Sequence, residues 1–237
     1  MPIHSKFVVH WTGHDFHPQT SQISRSIREQ YVERLRDDCL NGLFMKPGEE
    51  TIHGRLTTSI KATISRICFS EVRLSQAEDH ARQYGRLGIG FHRDFILERM
   101  GNPVLYVQNG DNGVLIEILH KVNQFLSTKE ADKLTHDSFK IVLGYLKNMS
   151  YQNDQKLDFY EEMEWRIVHL THLMGNYIKD EDPSQYFYRL TAKPEDIKII
   201  VFPDNDTMKM AVMDSDISGF FNQNFPMMTT LADCNNF

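Results

Sequence analysis

The chain has little with which to staple itself or to grip a metal. Its three cysteines, Cys39, Cys68 and Cys234, are an odd number spread over 237 residues, with no CxxC spacing. That excludes a disulfide framework and a four-cysteine zinc knuckle, and reduced thiols in a cytoplasmic protein are expected. No HExxH pair and no acidic calcium loop occurs. Among 11 histidines, His10, His14 and His17 lie near Asp15, and His169 is three residues from His172. These are read as scattered surface histidines, and no metal site is expected. No apolar run approaches the roughly 18 residues that cross a bilayer. The start, Met1-Pro-Ile-His-Ser-Lys6, lacks the apolar core of a signal peptide. Positive charge is short as well: 26 Lys and Arg against 32 Asp and Glu give −6. That balance gives no support to a broad, non-specific hold on DNA and leaves a local groove open.

Catalytic signatures are equally sparse. Ser70 sits between Phe69 and Glu71 with no GxSxG elbow, so a hydrolase triad has no anchor. Cys68 lies in an apolar strand, where cysteine more often packs as a small hydrophobe. Gly85, Gly88 and Gly90 are spaced GxxGxG rather than GxGxxG, which argues against a Rossmann site. Two readings of these glycines stay open: a strand approached closely by another backbone, or one approached by a flat ligand.

What is present is an ordinary globular composition, 41% hydrophobic and 24% charged, enough for one domain over residues 1–237. Strands are expected at Phe7–Thr12, Ile64–Phe69, Leu87–Phe91, Val104–Val107, Tyr186–Leu190 and Ile197–Phe202. Lys156–Thr171 reads as a long strand or hairpin arm. Ser21 or Ser24 caps a helix carrying Ile23, Ile27, Tyr31, Leu35 and Leu43. Further helices are expected over Leu74–Tyr84, Asp94–Met100, Val114–Leu126, Lys129–Leu146 and Asp204–Met213. Lys46–Glu50, Asn109–Gly113 and Lys179–Ser184 read as turns or loops, and the tail to Phe237 is weakly specified. Strands and helices mix without a regular βαβ beat. The expected fold is α+β, a mixed, mainly antiparallel split sheet with flanking helices.

The sharpest motif is Tyr160-Glu-Glu-Met-Glu-Trp-Arg-Ile-Val168. Glu162 and Glu164 are two apart in a strand-like run, so both carboxylates face one side. Like charges side by side weaken a plain strand. Either Arg166 neutralises Glu164 at a sheet edge, or a fixed carboxylate beside a cleft stabilises an oxocarbenium-like ribose.

His10-Trp-Thr12, Ile67-Cys-Phe-Ser-Glu71, the His80–Gly90 stretch, Asn102-Pro-Val-Leu-Tyr106, Glu162-Met-Glu-Trp-Arg166 and the tail around Phe225-Pro-Met-Met together resemble the AbiGi family of bacterial abortive phage infection proteins. Its members are described as antitoxins of an abortive infection pair. The order of motifs also resembles ADP-ribosyltransferases, including those that modify DNA. That second resemblance implies NAD as substrate, bound between two small sheets. His10 and Thr12 would hold the adenosine-side ribose, Ser70 the nicotinamide end, and Tyr84 would stack on a ring. Glu164 would be the catalytic carboxylate and Glu162 would orient the acceptor. Ser70 stands in Cys-Phe-Ser-Glu rather than Ser-Thr-Ser, and Arg66, Arg73 or Arg86 would have to grip the pyrophosphate.

Two functions follow as expectations. One is a phage-defence effector of ADP-ribosyltransferase-like fold that cleaves the nicotinamide–ribose bond and passes ADP-ribose to a macromolecule. The other is a non-enzymatic antitoxin that binds a partner toxin encoded nearby, for which an acidic chain suits a basic partner. A nucleic-acid-processing enzyme lacks both the metal cluster and the basic tract it would need.

Overall fold

In a computed structural model, residues 6–16, 23–53, 59–71, 73–107, 114–128, 132–148, 163–169, 177–182, 187–222 and 224–234 are described. The elements run β1 (Phe7–Thr12), α1 (Arg25–Asn41), β2 (Leu43–His53), β3 (Ser59–Ser70), α2 (Ala77–Tyr84), β4 (Leu87–His92), α3 (Arg93–Glu98), β5 (Asn102–Pro103) and β6 (Leu105–Val107). Then follow α4 (Val114–Leu126), α5 (Lys133–Gly144), β7 (Leu146–Asn148), β8 (Glu164–Val168), β9 (Ile178–Asp182), β10 (Phe187–Leu190), β11 (Ile197–Phe202), α6 (Asn205–Met213), α7 (Ser215–Phe221), β12 (Met227–Thr230) and α8 (Leu231–Cys234).

Ten strands form one sheet in the order β12-β11-β4-β1-β3-β2-β10-β9, with β8 and β5 branching from β3. Every pairing in it is antiparallel except β11 with β12, while β6 and β7 make a separate parallel pair. The α+β, mostly antiparallel sheet with flanking helices expected from the sequence is therefore present. It forks at β3, which pairs with β2 over residues 59–66 and meets β1 at Ser70, while β8 pairs with residues 66–70.

The burial of β3 records that fork. From Ser59 to Ile64 exposed and buried residues alternate, and from Ser65 onward nearly every side chain is covered. Its odd residues Ile67 and Phe69 join Val8, Phe91, Ile167 and Phe202 in the large apolar cluster under α1, α6 and α7. The even residues face the other way, because successive strand side chains alternate. There Ile60, Ala62 and Ile64 pack with α4 and α5. Farther along the same face, Val9, Trp11, Ile199 and Val201 pack with α2 and α8.

Gly88 and Gly90 belong to that second face. A Cβ on Gly88 would stand 2.8 Å from Trp11 Cζ3, and one on Gly90 would collide with Ile199 Cγ2. Close approach of neighbouring side chains is thus what these glycines permit. Two segments differ from expectation. Lys46–Glu50 lies inside β2, where Pro47 pairs with Ser65; β10 covers β2 only at Leu43–Met45, so the missing N–H of Pro47 falls beyond that pairing. Lys179–Asp182 is strand rather than turn, drawn into register by β10 despite its charge. Asn109–Gly113 and Ser184 lie outside the described residues.

Helix α1 is capped by Ser24, whose side chain accepts from the Ile27 amide. Its inward face carries Tyr31, Val32, Leu35 and Cys39, and also Asp38, which is 4% exposed with Oδ2 unpartnered. Burial pushes the Asp38 carboxyl up to about 7, with Asp37 adding to the rise and Arg34 and Arg189 opposing it. The folded chain therefore keeps a proton that the unfolded chain loses near pH 4, and stability declines as pH rises toward 7. Asp38→Asn should raise the unfolding free energy by ~4 kcal/mol at pH 8 and change it little at pH 4. Urea titrations of both proteins at the two pH values measure this; equal stability at pH 8 would refute it.

Candidate functional site

The apolar packing on the second face of the sheet is broken in the middle by charge. Between the α4–α5 cluster and the α2–α8 cluster lies a band made of Glu50 on β2, Arg66 and Cys68 on β3, Lys147 on β7, and Glu164 and Arg166 on β8. Antiparallel pairing assembles it: Cys68 stands opposite Arg166 and Ser70 opposite Glu164. Directly opposed residues share a face, with Cβ atoms about 5 Å apart.

Arg166 is the centre, with its side chain 2% exposed. Its Nε donates to Glu164 Oε1 at 2.7 Å, and Nη1 donates to Gly144 O at 2.8 Å and lies 3.0 Å from Glu50 Oε1. Lys147 Nζ reaches Glu164 Oε2 at 2.7 Å, and Arg66 Nη2 reaches Glu50 Oε1 at 2.5 Å. The Glu164 amide donates to the Tyr106 hydroxyl at 3.0 Å, and its carbonyl accepts from the Val104 amide. Burial by itself would raise the Glu164 carboxyl; Arg166 and Lys147 outweigh it and hold the group far below the ordinary carboxylate range. Arg166 is held above its ordinary value, because the Glu164 and Glu50 carboxylates outweigh its own desolvation. The Cys68 thiol, hydrogen-bonded to Glu164, is pushed up to about 12 by burial and then by that carboxylate. A thiol so placed stays protonated and is a poor nucleophile.

The sequence-derived site residues divide between the two faces. Ser70 and Glu164 are cross-strand neighbours. Tyr84 ends α2 and packs, with its ring 6.2 Å from that of His80, against the cluster holding Val9 and Trp11. These three share one side of the sheet. His10 and Thr12 alternate with Val9 and Trp11 along β1 and so face the other side, toward α1. His10 Nδ1 lies 2.9 Å from Cys68 O, and its ring packs against Phe69. A carbonyl only accepts, so Nδ1 carries the proton and Nε2 the lone pair. Burial, helped by Arg34 and opposed by the Cys68 carbonyl bond, lowers His10 to about 4, leaving it neutral near pH 7. Thr12 Oγ1 accepts from Arg34 Nη1 at 2.9 Å, and Arg34 also pairs with Asp15. Glu162 lies outside the described residues. Of the arginines considered for a pyrophosphate, Arg66 is committed to Glu50 and to Gly48 O.

Sequence reasoning missed Glu50 and Lys147 as members of the band. Glu50 sat in a stretch read as a turn, and Lys147 fell just past the end of the helix expected over Lys129–Leu146. A signal existed for Arg66 and Arg166: each is a cation inside an otherwise apolar strand, which demands a buried anion nearby. Among the described residues no group of three or more His, Cys, Asp or Glu side chains gathers as a metal site would require. No described helix is long and apolar enough to cross a membrane.

A family model matches residues 49–203, well over half of the chain, and carries the description "Putative abortive phage resistance protein AbiGi, antitoxin". The match takes in Ser70, Tyr84, Glu164 and the whole ionic band, and leaves His10, Thr12 and the Phe225 tail outside. No curated protein and no solved structure matches the chain, so the likeness to ADP-ribosyltransferases gains no support from the comparisons.

Removing one partner of a buried ion pair strands the other. Glu164→Gln should therefore cost roughly 3–5 kcal/mol of stability. Glu164→Leu combined with Arg166→Met and Lys147→Met, which leaves no cation of the pair stranded, should recover most of that loss. Urea unfolding of the single and triple variants gives the comparison; a Glu164→Gln protein as stable as the wild type would show that the band does not hold this fold together.

Proposed function

Since the chain belongs to the AbiGi family of abortive phage resistance proteins, we propose that it is an antitoxin that neutralises a partner toxin by stoichiometric contact rather than by chemistry of its own. One observation carries this reading. Glu164, the acid best placed to do chemistry, spends both carboxylate oxygens on Arg166 and Lys147. A carboxylate that stabilises an oxocarbenium-like ribose must keep its negative charge available as positive charge develops. Here that charge is already balanced, on a residue 5% exposed to solvent, and with the Glu50 pairs the band ties four strands together. The family description, which names an antitoxin, agrees with a binding protein.

A second reading remains attached to one specific observation. Ser70 and Glu164 are opposed on adjacent strands, the arrangement that an ADP-ribosyltransferase-like effector would use to hold the nicotinamide end of NAD next to its acid. In that reading NAD is the substrate, with Tyr84 on the same side of the sheet and ADP-ribose passed to a macromolecular acceptor.

The two readings part in growing cells and in the test tube. Expressed alone, the chain should leave host growth unchanged; expressed with the toxin encoded beside it, it should restore growth and co-purify in fixed ratio. Purified protein should leave NAD intact. Growth arrest by the chain alone, together with nicotinamide release that disappears in Glu164→Gln, would overturn the antitoxin reading in favour of the enzyme.

A further inference from the structure

We propose that the outward stripe of α4 is the surface on which the toxin docks, the toxin supplying an apolar groove that receives this helix. The inference rests on the antitoxin reading above and adds the place and the chemistry of the contact.

An ordinary surface helix turns one apolar stripe inward and a polar face outward. Helix α4 has two apolar stripes. Ile116, Leu119 and Leu126 face inward and are buried on the cluster shared with α5 and β3. Leu115, Ile118, Val122 and Phe125 line the flank beside it, 38%, 51%, 36% and 53% exposed, and Val114 at the helix start is 71% exposed. Spacings of three, four and three put the four on one line along three turns, the anchor pattern by which a helix enters a groove. Elsewhere on the described surface large exposed apolar residues come singly or in short groups, such as Leu40, or Val212 with Met213, which is normal for a monomer.

Area and charge together identify the occupant. The five side chains expose on the order of 400 Å² of apolar surface, in the range of functional patches on monomers. Two copies laid stripe to stripe would bury only about 800 Å² in total, short of the ~1,200 Å² at which specific stable interfaces begin. A groove closing around the helix reaches its flanks as well and buries more than the stripe. The charges beside the stripe, Glu117 and Lys121, are paired with each other at 3.2 Å, so the patch is neutral on a chain of net charge −6. That suits an apolar protein groove. It does not suit an anionic membrane, which calls for a basic polar face.

The test uses the full chain and the toxin encoded next to it. Ile118→Glu with Val122→Glu, and separately Phe125→Arg, should weaken toxin binding at least tenfold and abolish growth rescue. Because these positions face outward, their thermal midpoints should stay within a few degrees of the wild type. Val212→Glu with Met213→Glu on α6, 48% and 84% exposed, should bind as the wild type does. Wild-type binding retained by a folded stripe variant overturns the docking site and leaves the antitoxin reading intact. A wild-type chain that does not bind the toxin at all overturns that reading itself. A dimer at micromolar concentration that the stripe variants dissociate would make a second copy the occupant, and would also overturn the proposal.

Discussion

The charged band on the second face of the sheet is organised around one buried guanidinium. Arg166 comes from β8 and is satisfied by Glu164 on its own strand, by Glu50 on β2, and by the carbonyls of Gly144 and Leu146 where α5 passes into β7. Five donors in a fixed planar fork let one side chain fix the relative position of segments that are distant in sequence. An apolar residue there would pack with less specificity, since it would accept a range of angles. The desolvation cost of the ion is met only while every partner is in place, so the band holds these elements in one register.

That tight mutual satisfaction also decides what the band can do. A carboxylate whose two oxygens are taken by cations, beside a thiol pushed up to about 12, has neither spare charge nor a ready nucleophile. The imidazole of His10, which motif order had placed with that acid, lies across the sheet, neutral and tied to the Cys68 carbonyl. Charge is thus used inside the molecule for architecture, and the outward surface of α4 is left apolar. On the antitoxin reading proposed above, that surface and not the band would meet the partner.

How much of this the sequence disclosed depended on whether the deciding forces were local. The strands at Phe7–Thr12 and Ile197–Phe202 and the helix over Val114–Leu126 match the structure to the residue, because dense β-branched runs and helical periodicity are local signals. The α1 cap was legible for the same reason as one of two serines, Ser21 or Ser24, and the structure uses Ser24. Lys46–Glu50 was not, since Pro and Gly argue for a turn, and only pairing with the long β3 makes that segment a strand. The acidic strand Ile178–Asp182 was hidden likewise, because its register comes from β10. At the site, Glu164 and Arg166 announced themselves as a charged pair in an apolar run. Their partners Glu50 and Lys147 come from segments 114 and 17 residues away from Glu164, and no periodicity links them. The side of the sheet to which His10 belongs was also beyond reach, because the register that sets it is formed with Ser70, 61 residues later.

Strand β1 lies in the interior of the sheet, and its neighbour β4 is closed on the outer side only by β11, far along the chain. Strand β1 is flanked by β3 and β4, and the outer edge of β4 stays bare until β11 arrives with the side chain of Ile199 to fill the hollow above Gly90. On the ribosome this means a long wait: well over a hundred residues emerge between the first strand and the one that seals its neighbour. Throughout that interval a glycine-bearing strand offers unpaired amides and carbonyls to any passing chain. Such late, long-distance closure makes assembly slow.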